Sequence, residues 1–422
     1  MSDVFVPGGL PQHTYIPRGP RGLEERLAQA KDNLCKLVTV TGATKSGKTV
    51  LAKKIFPKKE SIWVDGGTVS EEKDLWTQVL DQLEGFTEIE NTSVREKNFR
   101  ASGKIGGQMK LFPFLGGTGE IETGLTRKGS KGITRRRQSS PKSTGVALLR
   151  EAGKSLVIDD FHYLKREIQG TVVRALKGLV FDGHPVVVIA IPHRRYDAVK
   201  VEREMTQRIE NIQIPAWEPG ELEDIPSTGF KLLNVELEEH ISQRLANEAL
   251  GSPHLMQEFC RELCHFKKIE ETQKSRLVFV PTFEELGNLF KNVAENTGRT
   301  MFEKLAKGPR QRADRKSRKL ADGTRADIYV VVLKALAQIK PGVETIGYED
   351  LRTAIRNVLS GDIPQAHEVS RVLEHMARIS AEDEASIPVI DWDKEERVLH
   401  VTDPFFAYYL RWGKEGGITR PG

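Results

Sequence analysis

The eight residues Gly42-Ala43-Thr44-Lys45-Ser46-Gly47-Lys48-Thr49 spell G-x-x-x-x-G-K-T, and they constrain the fold more than any other stretch of the chain. Such a loop works only between a buried strand and the first turn of a helix. Both flanks are present. Leu37-Val38-Thr39-Val40-Thr41 is short, β-branched and apolar, as a buried strand requires. Val50-Leu51-Ala52-Lys53-Lys54-Ile55-Phe56 carries apolar residues at helical spacing until Pro57 ends the run. Gly42 and Gly47 allow backbone N–H groups to close around phosphate oxygens, and the helix N-terminus adds partial positive charge. Lys48 then reaches the β- and γ-phosphates, and the Thr49 hydroxyl is placed to ligate Mg²⁺. The expected ligand-binding set is Gly42, Ala43, Thr44, Lys45, Ser46, Gly47, Lys48, Thr49 and Val50, and the expected ligand is a nucleoside triphosphate.

At 422 residues the chain exceeds one ordinary core, and two or three domains are expected. Residues 1–35 read as a Pro- and Gly-rich lead-in followed by a helix over 23–34. Residues 36–218 read as an α/β core of three layers around a parallel sheet, because strand and helix patterns alternate after the phosphate loop. Within it, Ser61-Ile62-Trp63-Val64-Asp65 and Ser155-Leu156-Val157-Ile158-Asp159 predict strands. His184 to Ile191 is nearly all apolar and so is expected at the centre of the sheet. Asn211 to Ile214 predicts a fifth strand, and 203–208 a helix. From 84 to 144 glycines break the pattern, which predicts an insertion, partly disordered or built as a β-hairpin. Residues 219–300 predict a helical lid broken at Gly251-Ser252-Pro253, and 301–326 a basic linker. Residues 327–422 predict three helices and then two strands, the order of a winged helix.

Asp159 and Asp160 close a buried strand at the edge where ligands of parallel sheets bind. Asp159 is suited to hold Mg²⁺ through water, and Asp160 to orient the water that attacks a phosphate. Arg194 and Arg195 follow the next strand, where a polar group can sense the γ-phosphate. Arg208 is placed to act in trans on a neighbouring subunit, with ion pairing to Glu202 or Glu204 as the structural alternative. Pro253 and His254 can face the nucleotide from the lid, although a capping turn with an incidental histidine explains the same residues.

This order of motifs, ending in Asp403-Pro404-Phe405-Phe406-Ala407-Tyr408-Tyr409-Leu410-Arg411-Trp412, resembles AAA+ and STAND-type P-loop ATPases. More narrowly it is similar to prokaryotic relatives of origin-recognition and transposition ATPases, and to archaeal-type ATPases with a winged-helix tail, found near defence and mobile-element genes. The resemblance covers about 36–64, 155–266 and 327–412. It implies ATP rather than GTP, a lid plus winged helix folding over the nucleotide, and ATP-linked self-association into homo-oligomers. The short Asp160 side chain leaves slow hydrolysis open, and with no nuclease, protease or other effector constellation in the sequence, an effector or partner protein is expected on another chain. Asp160 stands where many AAA+ members carry Glu. The Asp-Asp pair is closer to the STAND pattern and favours a switch over a continuous motor. A DNA-binding loader or target-selecting ATPase, and a scaffold that binds ATP without hydrolysing it, remain open as alternatives.

Charge bears on the nucleic-acid alternative. Between Arg95 and Lys142 there are twelve basic and three acidic residues, a net +9 against +5 for the whole chain. Such a segment, with the basic stretch 307–325, can neutralise DNA or RNA phosphates without reading sequence. Aromatic residues for base stacking are few there, and a solvated glycine-rich loop accounts for the composition equally well. The three cysteines, Cys35, Cys260 and Cys264, make no disulfide framework. With no stretch of membrane-spanning length and no signal-peptide pattern at Met1-Ser2-Asp3, a cytoplasmic protein is expected, with no membrane contact.

Overall fold

The structure is a computed structural model and describes residues 1–32, 35–85, 88–93, 133–138, 140–191, 208–309, 315–339, 342–381 and 388–414. A short helix α1 (Leu23–Ala28) leads into β1 (Leu37–Gly42), α2 (Lys48–Ile55), β2 (Ser61–Asp65) and α3 (Glu72–Gln82). An antiparallel pair, β3 (Glu88–Ser93) and β4 (Ile133–Gln138), precedes α4 (Pro141–Ala152), β5 (Ser155–Asp159), α5 (Arg166–Phe181), β6 (Val186–Ala190) and β7 (Ile209–Ile214). Five strands form one parallel sheet in the order β2-β5-β6-β1-β7, with β6 at its centre as the all-apolar run predicts.

Alternation along the strands builds the layers. Leu156, Ile158, Val186 and Val188 face one side, where Trp76, Val79, Leu149, Val172 and Leu176 of α3, α4 and α5 cover them. Val157, Val187, Ile189, Val38 and Val40 face the other, under Leu27 of α1, Leu51 and Ala52 of α2 and Phe56 just after it. Because side chains alternate with period two, a parallel strand buried on both faces must be apolar throughout, and β6 is.

The insertion ends earlier than its expected boundary at 144. Helix α4 begins at Pro141, with the Ser140 hydroxyl accepting from Ser143 N at 3.1 Å and proline in the first turn. Gly145, packed against the Trp76 ring, interrupts the apolar spacing that would have revealed this helix. Within the insertion β3 and β4 pair antiparallel, whereas 94–132, including the alternating stretches 110–112 and 120–122 behind the expected hairpin, lie outside the described residues. Helix α1 is shorter than the 23–34 expected and passes into a 3-10 turn, Gln29–Lys31.

Beyond the sheet, the helices Pro219–Leu232, Glu239–Glu248 and Pro253–Phe266 follow the expected helical pattern and its break at Gly251-Ser252. A small parallel pair not expected from the sequence joins Val235–Leu237, after the first of these helices, to Leu277–Phe279, after the third. The helices Phe283–Thr297 and Arg299–Lys307 come next. After them stand the helices Ile328–Ile339, Tyr348–Val358 and Ala366–Ser380 and the hairpin Ile390–Asp393 with Val398–Val401, to which Thr345–Gly347 adds a third antiparallel strand. The final helix, Pro404–Trp412, is buried from Pro404 through Leu410. Its Phe406, Tyr408 and Leu410 belong to the same core as Leu245, Phe259 and Phe290, so the segments on either side of residue 310 share one apolar interior. Cys260 and Cys264 are part of that interior, free and buried. Among the described residues no helix is long and apolar enough to cross a membrane.

Candidate functional site

The phosphate loop leaves β1 at the C-terminal edge of the sheet, between β6 and β7. A Cβ on Gly42 would meet the Ile214 carbonyl oxygen at 2.8 Å, and Gly47 holds a φ of +95°, so both glycines of the motif are required by the backbone. Lys48 opens α2 and is 7% exposed. Its Nζ donates to the carbonyls of Gly42 at 2.9 Å and Ala43 at 2.8 Å, which holds the cation at the mouth of its own loop. Burial, opposed by the nearby Asp160 and Asp159 carboxylates, lowers its pKa to about 8.

One residue further on, the Thr49 hydroxyl donates to Asp159 Oδ1 at 3.1 Å. Asp159 closes β5 in register with Asp65 at the end of β2. Its carboxyl is shifted upward by burial, against the hydrogen bonds from Thr49 and from the Asp160 backbone N–H. Asp160 adopts a left-handed φ of 51°, a conformation that Asp tolerates better than most residues. Burial, then repulsion from Asp159, raises the Asp160 carboxyl to about 6.

Lys48, Thr49 and Asp160 line one end of a cavity of about 320 Å³. The other end is largely apolar and is walled by Val6, Tyr15, Ile16, Trp217, Ile225 and Pro253, with Arg18, Glu24 and Gln257 set among them. The lead-in forms this wall because it is stitched to the helices beyond the sheet. Gln257, itself buried, accepts from Val6 N at 3.1 Å and donates to Thr14 Oγ1 at 2.8 Å. Phe5 enters the core against Phe230, with ring centroids 5.0 Å apart. Arg18 is held by Glu221 at 2.8 Å and by the carbonyls of Pro215 and Ala216, and its guanidinium stacks over the Trp217 ring.

The cavity fits a nucleoside polyphosphate. Thr44 Oγ1 and Ser46 Oγ are buried polar atoms without a hydrogen-bond partner among the described residues, Lys48 is a buried cation beside them, and Thr49 with Asp159 offers the hard oxygen set that Mg²⁺ takes. The volume suits a ligand with a flat apolar part and a charged tail.

The sequence-expected residues divide three ways. Residues 44–50, Asp160, Pro253 and His254 line the cavity, and Gly42, Ala43 and Asp159 support its phosphate-loop end. His254 stands edge-on to Phe405 at 4.9 Å, and burial followed by the nearby Lys45 lowers its pKa to about 4, so the ring is neutral at pH 7. Arg208 stands at the foot of β7, the opposite edge of the sheet, with its guanidinium 4.9 Å from the exposed Phe181 ring. Within one chain it therefore does not meet the phosphate loop. Arg194 and Arg195 lie outside the described residues.

Sequence reasoning missed three contributors to this site. Trp217 donates from Nε1 to the Ser46 carbonyl at 3.0 Å, Gln257 fastens the lead-in, and Asp403 pairs with Lys45 Nζ at 2.6 Å. Only the last carried a local signal, an Asp-Pro pair of the kind that caps a helix.

No protein-family model matches the chain, and no curated protein matches it. Among solved structures it is similar to the Walker-type ATPase PabY2304 of Pyrococcus abyssi, with a TM-score of 0.52 and 12% identity over 94% of this chain and 96% of that one. Cdc6p of Pyrobaculum aerophilum matches with a TM-score of 0.43 and 14% identity, over 98% and 97% of the two chains. The RuvB Holliday junction branch migration motor of Thermotoga maritima matches with a TM-score of 0.40 and 13% identity, over 92% and 93%. The strand order, the phosphate loop after β1 and the carboxylates ending β5 define a P-loop NTPase fold. At such identities the likeness speaks for the fold alone.

Proposed function

We propose that this chain is an ATP-driven switch that binds ATP with Mg²⁺, hydrolyses it slowly, and alters its self-association or its hold on a partner protein with the state of the nucleotide. The observation that carries this reading is Lys48, a buried cation parked on loop carbonyls beside two partnerless hydroxyls at the polar end of a nucleotide-sized cavity. Isolated buried charge is costly, and a polyphosphate supplies the counter-charge.

In this reading Thr49 and Asp159 hold Mg²⁺, Asp159 through water. The ion neutralises charge on the β- and γ-phosphate oxygens when bound. Asp160 orients the attacking water and takes its proton as the bond from the γ-phosphorus to the ADP oxygen breaks. Arg194 or Arg195 senses the γ-phosphate, and Arg208 completes the site of a neighbouring copy, which fits its place on the far edge of the sheet. The proposed division keeps 1–35 as lead-in, 36–218 as core, 219–300 as lid, 301–326 as a basic connection and 327–422 as a winged-helix module. In the connecting stretch Arg315, Lys316 and Arg318 are engaged by Asp327, Asp362 and Glu368, which leaves these three cations less free for nucleic-acid phosphates.

Titration calorimetry with ATP and Mg²⁺ tests the reading. Wild type is expected to bind, and Lys48→Ala to lose affinity by about 100-fold or more, the scale of removing the partner of a buried charge. Absence of a binding heat in folded wild type overturns it.

A further inference from the structure

The phosphate loop is gripped from outside by the start of the final helix. Lys45 Nζ lies 2.6 Å from Asp403 Oδ2 and 4.0 Å from the centre of the Phe405 ring. The other oxygen of Asp403 accepts from Phe405 N and Phe406 N, both at 2.9 Å, and so caps the helix Pro404–Trp412. Turning Asp403 away from Lys45 would break both capping bonds at the start of a helix that is buried almost throughout. The two partners differ in freedom. Asp403 is fixed by its capping bonds, whereas Lys45 is a long flexible side chain on the loop itself, at a left-handed φ of 60°, and it lines the polar end of the cavity. The pair is largely shielded from water, with side chains 29% and 11% exposed, so solvent screens it weakly. His254, neutral beside Phe405, offers no charge to replace Lys45 there at pH 7.

We propose that Lys45 is a two-position cation, paired with Asp403 in the nucleotide-free chain and drawn onto the phosphates when a nucleoside triphosphate enters, so that loading releases the C-terminal helix from the phosphate loop. This inference rests on the ATP-binding reading above. A triphosphate brings several negative charges to a place where Asp403 already stands, and one lysine cannot fully serve both. When it moves, Asp403 is left a shielded, unpaired carboxylate beside a polyanion, which favours displacement of its helix. Coupling of this kind is reciprocal: whatever holds the C-terminal helix in place weakens triphosphate binding by the same factor.

The test uses the full chain, a non-hydrolysable ATP mimic with Mg²⁺, and four proteins: wild type, Asp403→Asn, Lys45→Met and the double variant. Asn keeps the capping oxygen while removing the charge, and Met keeps an unbranched stem on the Phe405 ring. Calorimetry is expected to show Asp403→Asn binding the mimic about fivefold to tenfold more tightly than wild type, within the usual range of coupling between sites. In the K45M background the same substitution is expected to change affinity less than about twofold, because the contested cation is gone. Hydrogen exchange of residues 404–412 is expected to speed up when the mimic binds wild type. An equal gain in both backgrounds overturns the proposal, since it would report only the field of the carboxylate. Unchanged affinity in Asp403→Asn, or unchanged exchange in wild type that demonstrably binds the mimic, also overturns it. If wild type binds no mimic at all, the ATP-binding reading falls and takes this inference with it.

Discussion

At its polar end the cavity is walled by consecutive residues 44–50, which strand β1 and helix α2 hold in place. At its apolar end Val6, Thr14, Trp217, Ile225 and Gln257 converge from three separate stretches of chain, and the hydrogen bonds closing that wall span 243 and 251 residues. The polar end is thus fixed by local backbone geometry, a path between β1 and α2 that only glycine can follow at positions 42 and 47. The apolar end exists only after the lead-in has docked on the helices beyond the sheet. Chemistry and recognition are therefore expected to fail separately: damage at the loop should alter turnover and the response to phosphate number, and damage at the lead-in should alter stability and affinity for every ligand carrying the base.

The largest expected effect lies at the polar end. Asp160→Asn, which keeps a residue tolerant of the left-handed backbone, is expected to slow single-turnover ATP hydrolysis by about 10²- to 10³-fold, the usual worth of a positioned general base, while binding persists. Equal, negligible rates in both proteins would select the non-hydrolysing scaffold instead. Acidification should imitate this variant. The Asp160 pKa is raised to about 6, so its ionised, active form is present above that pH and is lost as pH falls through it. Stability runs the opposite way. Between pH 6 and the ordinary carboxyl value of 3.8 the folded chain keeps a proton that the unfolded chain releases, so this group's contribution to stability grows as pH falls through 6.

Phe5→Ala probes the apolar end and should act through folding. Removing a ring packed on Phe230 in the common core is expected to cost about 3 kcal/mol in denaturant unfolding. The turnover rate of the molecules that remain folded and saturated should stay near that of wild type. A large fall in that rate with unchanged stability would mean that the two ends are not separable. The smallest effect is expected from Gln257→Leu, which leaves Val6 N without its acceptor and Thr14 Oγ1 without its donor, at a cost of about 1–3 kcal/mol. Affinities for ATP, ADP and adenosine should fall by the same factor. A loss confined to ATP would place Gln257 with the polar end.

The same contrast explains what could be read from the sequence. The phosphate loop, its flanking strand and helix, the central apolar strand β6 and the Asp159-Asp160 turn are each encoded within a few neighbouring residues, and each stands where the pattern puts it. Helix α4 escaped notice because Gly145 breaks its apolar spacing. The pair Val235–Leu237 and Leu277–Phe279 escaped because three residues are too few to show alternation. The lead-in was legible as extended chain, but nothing within it announces that Phe5 enters a core or that Val6 meets Gln257. Lys45 and Asp403 are 358 residues apart, and no periodicity connects such distant positions.

Trp217 gives this architecture a built-in optical probe. Its indole N–H is bonded to the Ser46 carbonyl, a guanidinium covers its ring, and its side chain borders the cavity. Emission from that ring responds to the polarity and the charge around it, so filling of the pocket should register as a change in intrinsic fluorescence, with no dye attached and no residue replaced.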